Sequence, residues 1–155
     1  RNLGEYIAEN FKEKEFILWD GYCKYHNNIK INEIYELKEK YPNSKILVHP
    51  ECQKQIRDIA DYIGSTAGII NYATNNDYKD YIIATEEGIL YELKKKNPDK
   101  NFYIPGGSIS CVDMKKTTLN NLYDTLLNMK NEVILDESVS KNALKCLENM
   151  HSLAK

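Results

Sequence analysis

The chain has 155 residues, 42% hydrophobic and 28% charged, with a formal net charge of −2. A chain of this length buries roughly 70% of its unfolded surface, so a real core is expected, in one domain or two small packed lobes. The slightly acidic balance argues against a nucleic-acid or acidic-membrane partner, no apolar run reaches the roughly 20 residues of a membrane span, and four scattered cysteines do not make a disulfide scaffold.

The start, Arg1-Asn2-Leu3-Gly4-Glu5, is polar and acidic, with neither a signal peptide nor an initiator Met. Arg1 is therefore not expected to be the natural start, and the cysteine usage reads as cytoplasmic. Leu3 to Phe11 suggests a short helix. Phe16-Ile17-Leu18-Trp19 is strand-like and stops at Asp20-Gly21. Ile31 to Tyr41 is amphipathic, with Ile31, Ile34, Tyr35 and Leu37 on one face, and ends at Pro42-Asn43. Ile46-Leu47-Val48 is the apolar run of a buried strand, and it breaks into His49-Pro50-Glu51-Cys52. Gln53 to Ile63 is expected to be helical. Gly64-Ser65-Thr66 interrupts it and caps a further helix over Ala67 to Ala73. Tyr81 to Ala84 reads as a strand, Glu87 to Lys96 as a helix, and Phe102 to Ile104 as a strand before Pro105-Gly106-Gly107. Lys94-Lys95-Lys96 is a solvated helix end that suits the helix dipole. Thr117 to Met129 is a helix, Glu132 to Leu135 is extended, and Asp136 to Lys155 forms the last helix.

Strands separated by helices imply parallel strands joined by right-handed crossovers, an α/β fold. The chain also echoes itself. Glu15 to Cys23 is a strand, a glycine turn and a cysteine, and Asn101 to Cys111 repeats that plan. Two similar small parallel-sheet α/β/α units are expected, over residues 1–65 and 66–155, the second carrying the C-terminal helix.

Several groups could carry chemistry. Cys23-Lys24-Tyr25-His26 could bring a thiolate and an imidazole to one ion, or could be a buried cysteine beside a surface histidine. Cys111 follows glycines that let backbone approach a bulky ligand, or it is a half-buried loop thiol. Cys146, between Leu144 and Leu147, reads as core packing. His49 and Glu51 could be a general acid and base, or a surface histidine and a helix-start glutamate. Gly64-Ser65-Thr66 could hold an anion at a helix start, or be an ordinary N-cap.

These residues together resemble quinolinate synthase. The matching phrases run in family order: Asn2-Leu3-Gly4, Trp19-Asp20-Gly21-Tyr22-Cys23 with His26, Val48-His49-Pro50-Glu51-Cys52, Gly64-Ser65-Thr66, Ala84-Thr85-Glu86-Glu87-Gly88-Ile89, Asn97-Pro98-Asp99-Lys100, and Cys111 with Met114-Lys115. The resemblance implies three similar α/β units about a pseudo-threefold axis, with this chain holding the second and third and lacking the first. It implies a [4Fe-4S] cluster with one cysteine from each unit, Cys23 and Cys111 here and the third outside this chain. It implies condensation of iminoaspartate with dihydroxyacetone phosphate to quinolinate, in NAD biosynthesis, with L-aspartate oxidase as functional partner and a homodimeric assembly. By the same resemblance Glu51 is the acid/base with His49 beside it, while His26, Ser65 and Thr66 bind substrate. Cys52 matches a position that is not a cluster ligand. The alternatives are a zinc module on Cys23, His26, His49 and Cys52, or a non-catalytic α/β module. These residues alone are expected neither to hold an intact cluster nor to turn over.

Overall fold

The computed structural model describes residues 1–154. Two compact units divide after Val112. The first is an α/β fold on one parallel sheet of four strands: β1 (Lys45–Val48), β2 (Tyr62–Ile63), β3 (Asp80–Ala84) and β4 (Asn101–Tyr103). Its helices are α1 (Asn2–Asn10), α2 (Lys24–Asn27), α3 (Ile31–Lys40), α4 (Lys54–Arg57), α5 (Thr66–Asn75) and α6 (Ile89–Lys96).

The two apolar runs form the centre of the sheet. Ile46 pairs with Ile82, Leu47 with Ile83 and Val48 with Ala84. All six are buried, as expected for parallel strands covered on both faces. Ile34 from α3, Ile56 from α4, Ile69 and Ala73 from α5 and Leu93 from α6 complete the core. A fully buried leucine or isoleucine contributes about 1.5–3 kcal/mol relative to exposure, so the central strands anchor everything attached to their ends.

The strand order is β2-β1-β3-β4. The chain leaves β1 toward one side of the sheet to form β2, then returns to the other side for β3. The winding thus reverses between β1 and β3, and open α/β sheets bind ligands at the carboxyl ends of strands at such a switch point. His49-Pro50-Glu51 leaves β1 there, and Thr85-Glu86 leaves β3 beside it.

Two expected elements of this unit differ from the structure. Phe16 to Trp19 is not a strand; Ile17 and Trp19 are 95% and 85% exposed, and the segment pairs with no sheet edge among the described residues. Gln53 to Ile63 is not one helix. After α4, the Asp61 carboxylate accepts hydrogen bonds from the Ile46 N–H at 2.8 Å and Lys45 Nζ at 2.7 Å. That draws the chain back beside β1, where Tyr62 and Ile63 pair with Leu47 and Val48. The sheet also runs across position 65/66, where the internal echo placed a division. An apolar strand such as β1 needs neighbours on both sides, and it takes β2 from one side of that position and β3 from the other.

The second unit begins at Asp113. It holds a short 3₁₀ turn (Met114–Lys116), α7 (Leu119–Asn128) and α8 (Glu137–Leu153). Thr118 and Asn121 form a capping box on α7, and the Asp136 carboxylate accepts from the Ser138 and Val139 N–H groups at the start of α8. Glu132 to Leu135 forms no strand. Cys146, expected in a core, is exposed, because α8 buries none of its residues among those described. The expected end of this helix at Lys155 lies outside the described residues.

Candidate functional site

The site starts from one helical turn. Cys23 is the N-cap of α2, and its carbonyl accepts the Asn27 N–H at 2.9 Å. That turn puts positions 23 and 26 on one face, so the Cys23 Sγ lies 3.2 Å from His26 Nδ1. On the opposite side of the ring, His26 Nε2 meets the Thr85 hydroxyl at 2.9 Å. Thr85 is fully buried at the end of β3 and His26 is 7% exposed.

Glu51 closes the site from the end of β1. Its Oε2 is 3.2 Å from His26 Nδ1 and 3.6 Å from His49 Nδ1. The two imidazoles stack with centroids 4.4 Å apart and planes 19° apart. Hydrogen bonding assigns the protons. His26 Nδ1 faces a carboxylate and a sulfur, so it carries the hydrogen, and Nε2 accepts from the Thr85 O–H. His49 Nδ1 accepts the Glu51 backbone N–H at 3.3 Å, which places its hydrogen on Nε2. Burial, reinforced by His49 and opposed by Glu51 and Glu86, brings the His26 pKa down to about 4. Burial also lowers the His49 pKa, against the pull of Glu51. Both rings are therefore neutral near pH 7. Ligand atoms of Cys23, His26 and Glu51 all lie within 4.8 Å of one another, a group that could hold a metal ion.

Cys111 approaches from the β4 side. Gly106 and Gly107 turn the loop with φ of 66° and 82°, backbone that an L side chain rarely adopts, and a Cβ on Gly106 would stand 3.0 Å from Glu33 Oε2. Beyond the turn, the buried Glu86 carboxylate accepts the Cys111 N–H at 3.3 Å and the Gly88 N–H at 2.7 Å. The Val112 N–H donates to the Tyr25 hydroxyl at 3.1 Å, tying this loop to α2. Cys111 thus sits at the same end of the sheet as Cys23, outside the close group of Cys23, His26 and Glu51.

Ser65 and Thr66 are exposed at the start of α5, with Ser65 as N-cap accepting the Gly68 N–H at 3.1 Å. Ile63 lies beside Val48 in register, so Gly64-Ser65 and His49-Pro50 leave adjacent strands at the same end. Cys52 is fully buried; its thiol donates to the Ala84 carbonyl at 3.4 Å, and burial pushes its pKa up to about 12. Its sulfur is not among the close ligand atoms of Cys23, His26 and Glu51, so the alternative zinc set of Cys23, His26, His49 and Cys52 is not the group that converges here.

Thr85 and Glu86 belong to the site although the sequence assigned them no role. The signal was an apolar strand ending in a hydroxyl and an acid, as β1 ends in a histidine and an acid. Asn2 also belongs. Its side chain is buried and donates to the Glu51 carbonyl at 2.9 Å and to Asn27 Oδ1 at 3.1 Å.

The family model described as NadA, quinolinate synthetase A protein, matches residues 1–152. The quinolinate synthase of Clostridioides difficile (strain 630) is 68% identical over 154 residues, which is 99% of this chain and 51% of that protein. That of Clostridium novyi (strain NT) is 52% identical over 154 residues, with the same coverage. That of Sulfurihydrogenibium sp. (strain YO3AOP1) is 47% identical over 157 residues, covering 98% of this chain and 51% of that protein. The chain spans about half the length of the curated relatives it matches. With the match running across nearly all of its residues, the chain belongs to the quinolinate synthase family.

Proposed function

We propose that this chain carries the acid/base and substrate-binding part of a quinolinate synthase. That enzyme condenses iminoaspartate with dihydroxyacetone phosphate, releasing phosphate and water and giving quinolinate for NAD biosynthesis. The observation that carries this reading is the stacked, neutral His26–His49 pair with Glu51 Oε2 at 3.2 and 3.6 Å from its Nδ1 atoms, beside the Cys23 thiol at the switch point of the sheet.

Glu51 accepts and returns protons at Oε2. Its two imidazole neighbours stay uncharged and so leave it a base rather than a partner locked in an ion pair. His49 offers its Nε2–H toward substrate. His26, held at Nε2 by Thr85, presents Nδ1–H to the space between Cys23 and Glu51. The first N–H groups of α5, with Ser65 and Thr66, suit a substrate carboxylate or phosphate.

The donor set fits a [4Fe-4S] cluster. Cys23 and Cys111 would hold it, both on loops at one end of the sheet, and thiolates are the ligands such clusters take. A third cysteine would come from an upstream unit. When bound, the cluster supplies an open iron position that polarises a substrate oxygen. Residues 1–155 alone would then neither complete the cluster nor turn over. The same reading makes the enzyme a cytoplasmic homodimer fed iminoaspartate by L-aspartate oxidase, with no nucleic-acid or membrane partner. Among the described residues no helix is long and apolar enough to cross a membrane.

The test is Glu51→Gln in the full-length enzyme, reconstituted with iron and sulfide under anaerobic conditions. Quinolinate formation should fall at least about 100-fold, the range of a lost general acid/base, with the brown visible absorbance retained. Wild-type turnover at wild-type cluster content would refute the role of Glu51. A colourless, zinc-loaded protein would refute the cluster.

A further inference from the structure

We infer that Asn2 is a positioning residue that sets the distance between Glu51 and His26. The inference rests on the reading of Glu51 as the acid/base. Asn2 begins α1, 24 positions before His26 and 49 before Glu51, and its amide nitrogen hydrogen-bonds to Glu51 and Asn27. Its amide nitrogen has two hydrogens, and both are used on segments that carry the site. One goes to the Glu51 carbonyl at 2.9 Å, the other to Asn27 Oδ1 at 3.1 Å, on the residue following His26. A single buried NH₂ therefore clamps the exit of β1 to the end of α2.

The clamp is itself braced. The buried Arg57 donates from Nη1 to the Asn2 carbonyl at 3.2 Å and to the Cys52 carbonyl at 2.6 Å, fixing α1 against the loop that follows Glu51. Gln53 Nε2 donates to the Asn27 carbonyl at 2.6 Å, a second tie between the same two segments. Loss of the Asn2 amide should loosen the pair of segments without releasing them. The contact at stake is the 3.2 Å approach of Glu51 Oε2 to His26 Nδ1. Among the described residues no main-chain hydrogen bond joins the two segments; the Asn2 and Gln53 side chains do. A misplacement of about 1 Å at a reacting group costs on the order of 100-fold in rate.

The test uses full-length enzyme loaded with cluster anaerobically, with rates expressed per cluster. Asn2→Ala removes the clamp. Asn2→Asp keeps the size and one oxygen but has no hydrogen to give either acceptor. Both should lower kcat per cluster by about 10- to 100-fold, with KM within about threefold of wild type and cluster content unchanged. A purely structural role would lower the loaded fraction and leave the rate per cluster intact. That outcome overturns the inference, as does wild-type kcat in Asn2→Asp. Glu51→Gln measured alongside separates the two claims. If it keeps activity, the functional reading fails; if it is inactive while both Asn2 variants are not impaired, only the role of Asn2 fails.

Discussion

Thr85→Val isolates the value of one buried hydrogen bond at the site. Thr85 is fully buried, and its hydroxyl lies 2.9 Å from Nε2 of a ring that is itself 7% exposed. Valine preserves the shape and removes the donor. The Nε2 lone pair is then left facing a methyl group with little access to water. A buried acceptor without a partner costs about 1–3 kcal/mol. In a domain of this size each kcal/mol lowers Tm by roughly 2–4 °C, so a fall of about 2–12 °C is expected. The loss should also be specific to the imidazole. In a His26→Phe background no nitrogen remains to be satisfied, and Thr85→Val should cost less than about 0.5 kcal/mol. The assay is a double-mutant cycle by thermal and chemical denaturation of the metal-free protein, followed by circular dichroism. Additive costs, with Thr85→Val equally damaging in both backgrounds, would show that the hydroxyl serves something other than His26.

Glu86→Gln leaves one carbonyl oxygen where the carboxylate received both the Cys111 and Gly88 N–H groups, so one N–H must face an NH₂. Iron bound per full-length chain should fall several-fold while the circular dichroism spectrum is retained, and unchanged iron content would show that Glu86 does not hold the Cys111 loop in place. Gly64→Ala would set a Cβ 2.6 Å from the Tyr62 ring, which stacks on Tyr72 at 4.7 Å, and should destabilise by about 1–3 kcal/mol in urea denaturation. In the native protein an alkylating reagent should modify the exposed Cys146 rapidly and leave Cys52 intact until unfolding, since burial holds that thiol protonated; peptide mass spectrometry reads both sites.

Periodicity sufficed for the centre of the sheet. The runs Ile46 to Val48 and Tyr81 to Ala84 are continuous and apolar because both faces are covered, and they pair as that pattern implies. It failed where the decisive interaction is not local. Tyr62 and Ile63 form a strand because Asp61 binds the Ile46 N–H and Lys45, 15 and 16 residues earlier; on the helical pattern alone they continue a helix. Phe16 to Trp19 has strand composition, but composition does not supply a neighbouring edge. The site divides in the same way. His49 and Glu51 announce themselves at a strand exit, and Cys23 with His26 at helical spacing. Asn2, Thr85 and Glu86 act across 49, 59 and 25 positions, and nothing near them in the chain points to their partners.

The two imidazoles beside Glu51 Oε2 influence each other's protonation. A charge on His49 lowers the proton affinity of His26, and the stacked rings are 4.4 Å apart, so the pair resists holding two added protons at once. Glu51 favours a proton on either ring, yet burial outweighs that pull for both. Thr85, Asn2 and the Glu51 backbone N–H each fix an atom of His26, Glu51 or His49 by a hydrogen bond, so a shift in any one would change the spacing of the three side chains.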